Sequence, residues 1–283
     1  MAYFVIEQGR LQSCDGMMDQ RGLSYGDGFF STMGVHDGQI VCMSGHQDRL
    51  IISAQRLELM IDVGSVMLLL GQLAQQMNQG MIKIIITRAT QSVRGYGYDD
   101  GRACILIKTM PSDVYQGVRF YEGIPCQSSG MAVQLSENLS PRTPRFAGLK
   151  LISSHEQIFI HRELLCHQQM NPAIVEGLVA TMAGEQISGA MSNVFYCWQG
   201  VWYTPPVSKC GVDGVMRRTL LTKFAIGERT LYAKELPRID GLMFCNAVRG
   251  VVPIVALVMG GQVRHFGASF LDVLTNSNKK SNE

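Results

Sequence analysis

Apolar positions along this chain switch between a period near 3.6 and a period of two, and each switch marks the border of an expected helix or strand. Residues 46–60 set Leu50, Ile51, Ala54, Leu57 and Met60 on one helical face, and Val63–Met77 repeats that spacing with a heavier apolar load. Met81-Ile82-Lys83-Ile84-Ile85-Ile86-Thr87-Arg88 reads as a β-branched strand, and 103–108 as another across a glycine-rich turn at 95–101. Residues 39–42 read as a hairpin strand, because Asp37-Gly38 supplies the positive φ of a tight turn. Beyond residue 130 the pattern predicts strands at 131–135, 177–182, 193–198, 201–204, 242–245 and 251–259. It predicts helices at 153–169, 216–224 and 268–274. Ser153 or Ser154 is the expected N-cap of the first of these helices, with Glu156 in its first turn. Ser140-Pro141-Arg142-Thr143-Pro144-Arg145 reads as loop, since neither proline continues a helix or a central strand. Residues 1–10 read as a first strand ending in a turn, and 276–283 as a polar, frayed tail.

Polar and turn residues accumulate between 111 and 130. The pattern therefore predicts an α+β protein of two domains, with an α/β domain over 1–112, a connector over 113–129 and a larger domain over 130–283. Composition narrows the function classes. With 283 residues, 46% hydrophobic and 17% charged, the chain has ample core and no disordered character. A net charge of +2 without a dense Lys/Arg run leaves no nucleic-acid footprint. The apolar stretches at 66–70 and 251–259 are too short to cross a bilayer, and the N-terminus lacks the plan of a signal peptide. A soluble, cytoplasmic protein is the expectation. The eight cysteines form no CxxC pair and read as reduced, mostly buried thiols. His155, His161 and His167 lie six apart, about 600° of helical rotation, so neighbours point apart and no metal site is expected. Gly95, Gly97 and Gly101 have the wrong spacing for a dinucleotide loop.

Candidate chemistry concentrates in three segments. Arg21-Gly22-Leu23-Ser24-Tyr25-Gly26-Asp27-Gly28 comes first, then Ala147-Gly148-Leu149-Lys150, then Ser192-Asn193-Val194-Phe195-Tyr196. Lys150 lies between apolar Phe146-Ala147-Gly148-Leu149 and Leu151-Ile152, which reads as a partly buried strand end where desolvation would lower an amine's pKa. A strand-edge lysine facing solvent is the alternative. Arg49, in Gly45-His46-Gln47-Asp48-Arg49-Leu50, offers a planar fork suited to phosphate, or is a solvated helix arginine. Gly211-Val212-Asp213-Gly214-Val215-Met216-Arg217 opens a helix, and helix N-termini attract phosphate.

In this order the three segments resemble the fold-type IV pyridoxal phosphate enzymes. That family includes branched-chain aminotransferase, D-amino acid aminotransferase and 4-amino-4-deoxychorismate lyase, and length and the Gly211–Arg217 segment look nearest to the lyases. The resemblance implies a two-domain α+β fold, with a smaller N-terminal α/β domain and a larger C-terminal domain holding a barrel-like sheet. It implies pyridoxal 5′-phosphate as cofactor, a small-molecule substrate and a homodimer. Lys150 would carry the cofactor as a Schiff base and move the proton. Arg49, the Gly214–Val215 backbone and the turn at Asn246-Ala247 would hold the phosphate, the last through backbone alone because alanine replaces the usual hydroxyl-bearing residue. Tyr25 would shape the active-site entrance and the dimer contact. Arg94-Gly95-Tyr96 resembles the loop that reaches toward the partner's active site.

Two positions depart from the family's pattern. Ser188 stands five residues before Asn193, where a glutamate normally ion-pairs the pyridine nitrogen, and a serine can only hydrogen-bond there. Glu185 is offset by three and would face the other side of a strand. After Lys150 the chain has Leu151-Ile152-Ser153-Ser154 in place of the His-Leu-Asn-Arg usual in the lyases, while Glu156-Gln157 is retained. The resemblance thus implies a lyase giving 4-aminobenzoate and pyruvate. An amino acid aminotransferase and a pyridoxal phosphate-binding paralogue impaired in catalysis remain as alternatives.

Overall fold

A computed structural model describes residues 4–7, 10–13 and 19–280, with side chains for 19–275. The expected turn after the first strand, Cys14 and the end of the tail lie outside the described residues. Strands β1 (Phe4–Glu7) and β2 (Arg10–Ser13) pair antiparallel. Then come α1 (Arg21–Tyr25), β3 (Gly28–His36), β4 (Gln39–Ile40), α2 (Met43–Leu57), α3 (Val63–Met77), β5 (Gly80–Arg88) and β6 (Ala103–Pro111). The sheet order is β4-β3-β5-β6, all neighbours antiparallel.

Alternation gives this sheet two different faces. Phe29, Met33, Ile82, Ile84 and Ile86 are fully buried and pack with Leu50, Leu70 and Ala74 of the two long helices. Phe30, Thr32, Met81, Lys83 and Ile85 point the opposite way, into the cavity described below. The expected strand at 39–42 stops at Ile40. Cys42 turns to φ 56° and caps α2, which begins at Met43, three residues ahead of the periodic signal. The helix ends at Leu57 because Glu58 takes a left-handed conformation.

The remaining elements are β7 (Arg119–Tyr121), β8 (Ile124–Cys126), β9 (Gly130–Leu139), α4 (His155–Met170), β10 (Ile174–Thr181), β11 (Glu185–Gly189), β12 (Asn193–Trp198) and β13 (Val201–Thr204). After them come α5 (Val215–Lys223), β14 (Gly227–Glu228), β15 (Leu231–Tyr232), a 3₁₀ turn at Ala233–Arg238, β16 (Gly241–Asn246), β17 (Gly250–Met259), β18 (Gln262–His265) and α6 (Phe270–Lys280). Six strands close on themselves: β9 pairs β10, then β11, β12, β16 and β17 follow, and β17 returns to β9. The barrel-like sheet expected from the resemblance is a closed six-stranded barrel. Its strands send alternate side chains into different cores. Val194, Tyr196, Leu242 and Phe244 join one cluster. Phe195, Cys197, Met243 and Cys245 join another, which Met216 and Leu220 of α5 and Phe270 of α6 complete.

The short strands β7 and β8 fall inside the stretch expected to be connector. β8 pairs β17 through Val251 and Cys126, which ties that stretch to the large sheet. Three-residue strands carry too little periodicity to be seen in sequence. At α4 neither expected cap operates: Ser154 is the N-cap residue but makes no capping bond, and its Oγ donates to the Leu151 carbonyl at 2.9 Å. At the other end of the chain, α6 runs to Lys280, well into the residues expected to fray.

Candidate active site

Lys150 lies in an irregular segment held from both sides. Phe30 N–H donates to its carbonyl at 3.0 Å, Ile152 N–H donates to Gly28 O at 3.1 Å, and Asp213 N–H donates to Gly148 O at 2.9 Å. An added Cβ at Gly28 would overlap the Ile86 carbonyl, so glycine is required where β3 crosses this segment. The lysine is thereby fixed between the four-stranded sheet and the loop before α5, rather than at the strand end the sequence suggested.

Its amine opens into a cavity of about 950 Å³ between the four-stranded sheet and the barrel. Phe30, Thr32 and Lys83 line it from the four-stranded sheet; Arg142, Ser188, Ser192, Asn193 and the 210–215 loop line it from the barrel side; Gln157 and His161 of α4 close an edge. Burial, with the positive charges of Arg49, Lys83 and Arg142 nearby, pulls the Lys150 amine down to about 8. The Lys150 Nζ lies 4.6 Å from the centroid of the Phe30 ring, and Lys83 Nζ lies 5.0 Å from the same centroid.

Arg49 is buried at the base of the cavity. It donates to Asp213 O at 3.2 Å and to Ser31 Oγ at 3.4 Å. Burial, reinforced by Arg218, lowers the guanidinium to about 10. Ser31 Oγ also lies 2.8 Å from His46 Nδ1, and burial beside Arg49 and Arg218 pulls that imidazole down to about 3. His46 is therefore neutral at physiological pH, and adds no third charge behind Arg49.

α5 starts at Val215 with Gly214 as an N-cap that offers no side chain, so no hydroxyl or carboxylate competes for its first amides. Asn193 shapes this end. Its Nδ2 donates to Val212 O at 2.8 Å, and a Cβ at Gly214 would overlap its Oδ1. The chemistry of these groups fits a phosphate: a guanidinium, a helix N-terminus and a glycine that lets backbone approach closely.

Ser188 is the cross-strand partner of Asn193. Its Oγ is buried at the cavity wall without a hydrogen-bond partner among the described residues. An unmet hydroxyl beside an amine and a phosphate-suited base fits the polar edge of a pyridine ring. Glu185 does not line the cavity. Asn246 does, but its side chain serves its own turn: Oδ1 accepts from Val248 N–H at 3.0 Å and Arg249 N–H at 2.8 Å. Ala247 completes that wall.

The structure brings together Arg49, Lys150, Ser188, Gly214, Val215, Asn246 and Ala247. Tyr25, Arg94 and Tyr96 do not line the cavity of the single chain. Tyr25 and Tyr96 stand ring to ring at 5.3 Å around Arg21, which donates to the carbonyls of Gly95, Tyr96 and Gly97. Tyr96 is 86% exposed. His155 and His161, expected to point apart, both border the cavity, because it runs along the side of α4 and takes residues a third of a turn apart. No cluster of metal-ligating side chains occurs among the described residues.

Sequence reasoning missed Glu176. This fully buried carboxylate accepts from Ala190 N–H at 3.1 Å and Ser192 Oγ at 2.6 Å, and pairs with Arg249. It fixes the Ser188–Asn193 turn from behind. A lone acid in the apolar run of β10 was the available signal, since an isolated carboxylate is not buried without partners.

Known proteins share this sequence pattern and fold. The family profile for amino-transferase class IV matches residues 28–257. An aminodeoxychorismate lyase from Vibrio harveyi is 23% identical over 246 residues, covering 84% of this chain and 85% of that protein. The crystal structure of 4-amino-4-deoxychorismate lyase from Pseudomonas aeruginosa superimposes with a TM-score of 0.77 at 25% identity, covering 99% of this chain and 98% of that one. A branched-chain aminotransferase from Thermoproteus uzoniensis, solved with norvaline, gives a TM-score of 0.71 at 16% identity, covering 99% and 94%.

Proposed function

Because this chain belongs to the class IV amino-transferases, a pyridoxal phosphate-using family, we propose that it is a 4-amino-4-deoxychorismate lyase in which Lys150 holds the cofactor. The observation that supports this reading best is the cavity itself. An amine lowered to about 8 shares one cavity with a phosphate-suited base and a serine hydroxyl that has no partner among the described residues.

Arg49 and the first amides of α5 would bind the phosphate, and Ser188 Oγ would hydrogen-bond the pyridine nitrogen. When bound, pyridoxal phosphate supplies an electron-withdrawing ring conjugated to the substrate's amine. Lys150 Nζ takes the proton from the amine-bearing ring carbon. That C–H electron pair becomes the third ring double bond while the C–O bond on the neighbouring carbon breaks. Enolpyruvate departs, gains a proton at its methylene carbon and becomes pyruvate; the ring remains as 4-aminobenzoate.

Ser188 favours this reaction over transamination. A serine cannot hold the pyridine nitrogen protonated as a carboxylate does, so the ring withdraws electrons less strongly. Aromatisation supplies the driving force that the weaker ring lacks. The likeness to aminotransferases keeps amino-group transfer as the competing reading. Pyruvate release from 4-amino-4-deoxychorismate, measured for wild type and Ser188→Glu beside amino-donor turnover, decides between them. Lyase activity in wild type, with transamination gained only in Ser188→Glu, is the expected result. Amino-donor turnover without pyruvate release in wild type overturns the lyase reading. Homodimerisation, with Tyr25, Arg94 and Tyr96 at the entrance of the partner's cavity, belongs to the same proposal.

A further inference from the structure

Among the described residues, five cationic side chains line the cavity, Arg49, Lys83, Arg142, Lys150 and Arg249, and no Asp or Glu does. Three of them have a task. Arg49 is tied to the α5 loop, Lys150 is the nucleophile, and Arg249 is paired with buried Glu176. Lys83 and Arg142 form no ion pair with a carboxylate among the described residues; Arg142 makes one long bond, to the Leu149 carbonyl at 3.3 Å, and Lys83 rests on the Phe30 ring.

These two come from opposite walls. Lys83 projects from the centre of β5 in the four-stranded sheet, and Arg142 from the loop that leaves the barrel strand β9. Both stand close enough to repel the protonated Lys150. Cations left half-buried without counter-charge raise the energy of the free protein, and an anion that supplies the counter-charge recovers it. Resting on the reading of Lys150 as the reactive amine, we infer that Lys83 and Arg142 each receive one carboxylate of the substrate. The cavity therefore selects a dicarboxylate whose acid groups lie on opposite sides of the reacting centre. A monocarboxylate with an apolar body would leave one of the two cations unmet.

The test uses isophthalate, a rigid dicarboxylate, against benzoate, titrated calorimetrically into protein incubated with pyridoxal phosphate. Wild type is expected to bind isophthalate at least tenfold more tightly than benzoate. Lys83→Met and Arg142→Met should each cut isophthalate affinity about tenfold, and the double variant should bind the two acids alike. Lys83→Arg should recover most of the loss, which a folding defect would not. Borohydride trapping of the cofactor in the same samples separates this inference from the reading beneath it. A trapped cofactor with no preference for the dicarboxylate, or a preference that survives in the double variant, overturns the inference while Lys150 keeps its role. A preference lost in the double variant, in protein that traps no cofactor, supports the carboxylate pair and removes Lys150 from its role.

Discussion

Two parts of the cavity wall are built on opposite plans. At the base the polar groups are tied to one another: Arg49 with Ser31 and Asp213, Asn193 with Val212, Gly148 with Asp213. Elsewhere on the wall Lys83 and Arg142 carry charge with little to hold it. The difference separates two jobs. A resident group that stays through many turnovers is served by a preorganised socket, whereas a substrate that must leave is served by groups whose partners arrive with it.

The largest effect is expected from closing the base. Gly214→Val would drive a side chain into Asn193 and block the approach to α5, so cofactor affinity, read by fluorescence titration, should fall by about a thousandfold, roughly two charge-assisted bonds' worth. An unchanged affinity would mean that the phosphate lies elsewhere. Arg49→Met removes one guanidinium from the same socket and should weaken cofactor binding about 100-fold, within the range of charged hydrogen bonds.

Behind the wall, Glu176→Gln leaves Arg249 facing a neutral partner in a buried setting. Loss of one member of such a pair costs about 3–5 kcal/mol, visible as a lower denaturant midpoint. A midpoint unmoved from wild type would show that Arg249 finds solvent instead.

The smallest effect concerns pH. The Lys150 amine, lowered to about 8, is mostly protonated at pH 7, so cofactor attachment should accelerate as pH rises and level off above about 9. Removing one repelling cation with Lys83→Met should move that midpoint upward by a fraction of a unit. For the cofactor-free protein the sign is the same. The folded amine sheds its proton at a lower pH than the unfolded one, so stability grows from about pH 8 towards the ordinary lysine value near 10.5.

Much of this plan was legible in the chain. Long periodic segments such as Val63–Met77 announced themselves, and Lys150 was marked by the motif around it together with its apolar flanks. The short strands β7, β8, β14 and β15 were not, because two or three residues hold no period. Lys83 was visible only as a polar interruption of an isoleucine-rich strand. Its importance rests on which face of β5 meets the barrel, a fact of tertiary packing. Arg142 sat between two prolines in a loop whose place is fixed by the Lys209 carbonyl, 67 residues further along. Glu176 was hidden for the same reason: its partner Arg249 lies 73 residues away.

The most direct measurement is the absorption spectrum of the protein with pyridoxal phosphate, before and after borohydride, for wild type and Lys150→Ala. A Schiff-base band that borohydride traps in wild type and that is missing from Lys150→Ala is the expected result. A trapped band in both proteins, or in neither, would contradict the assignment of Lys150 as the residue that holds the cofactor.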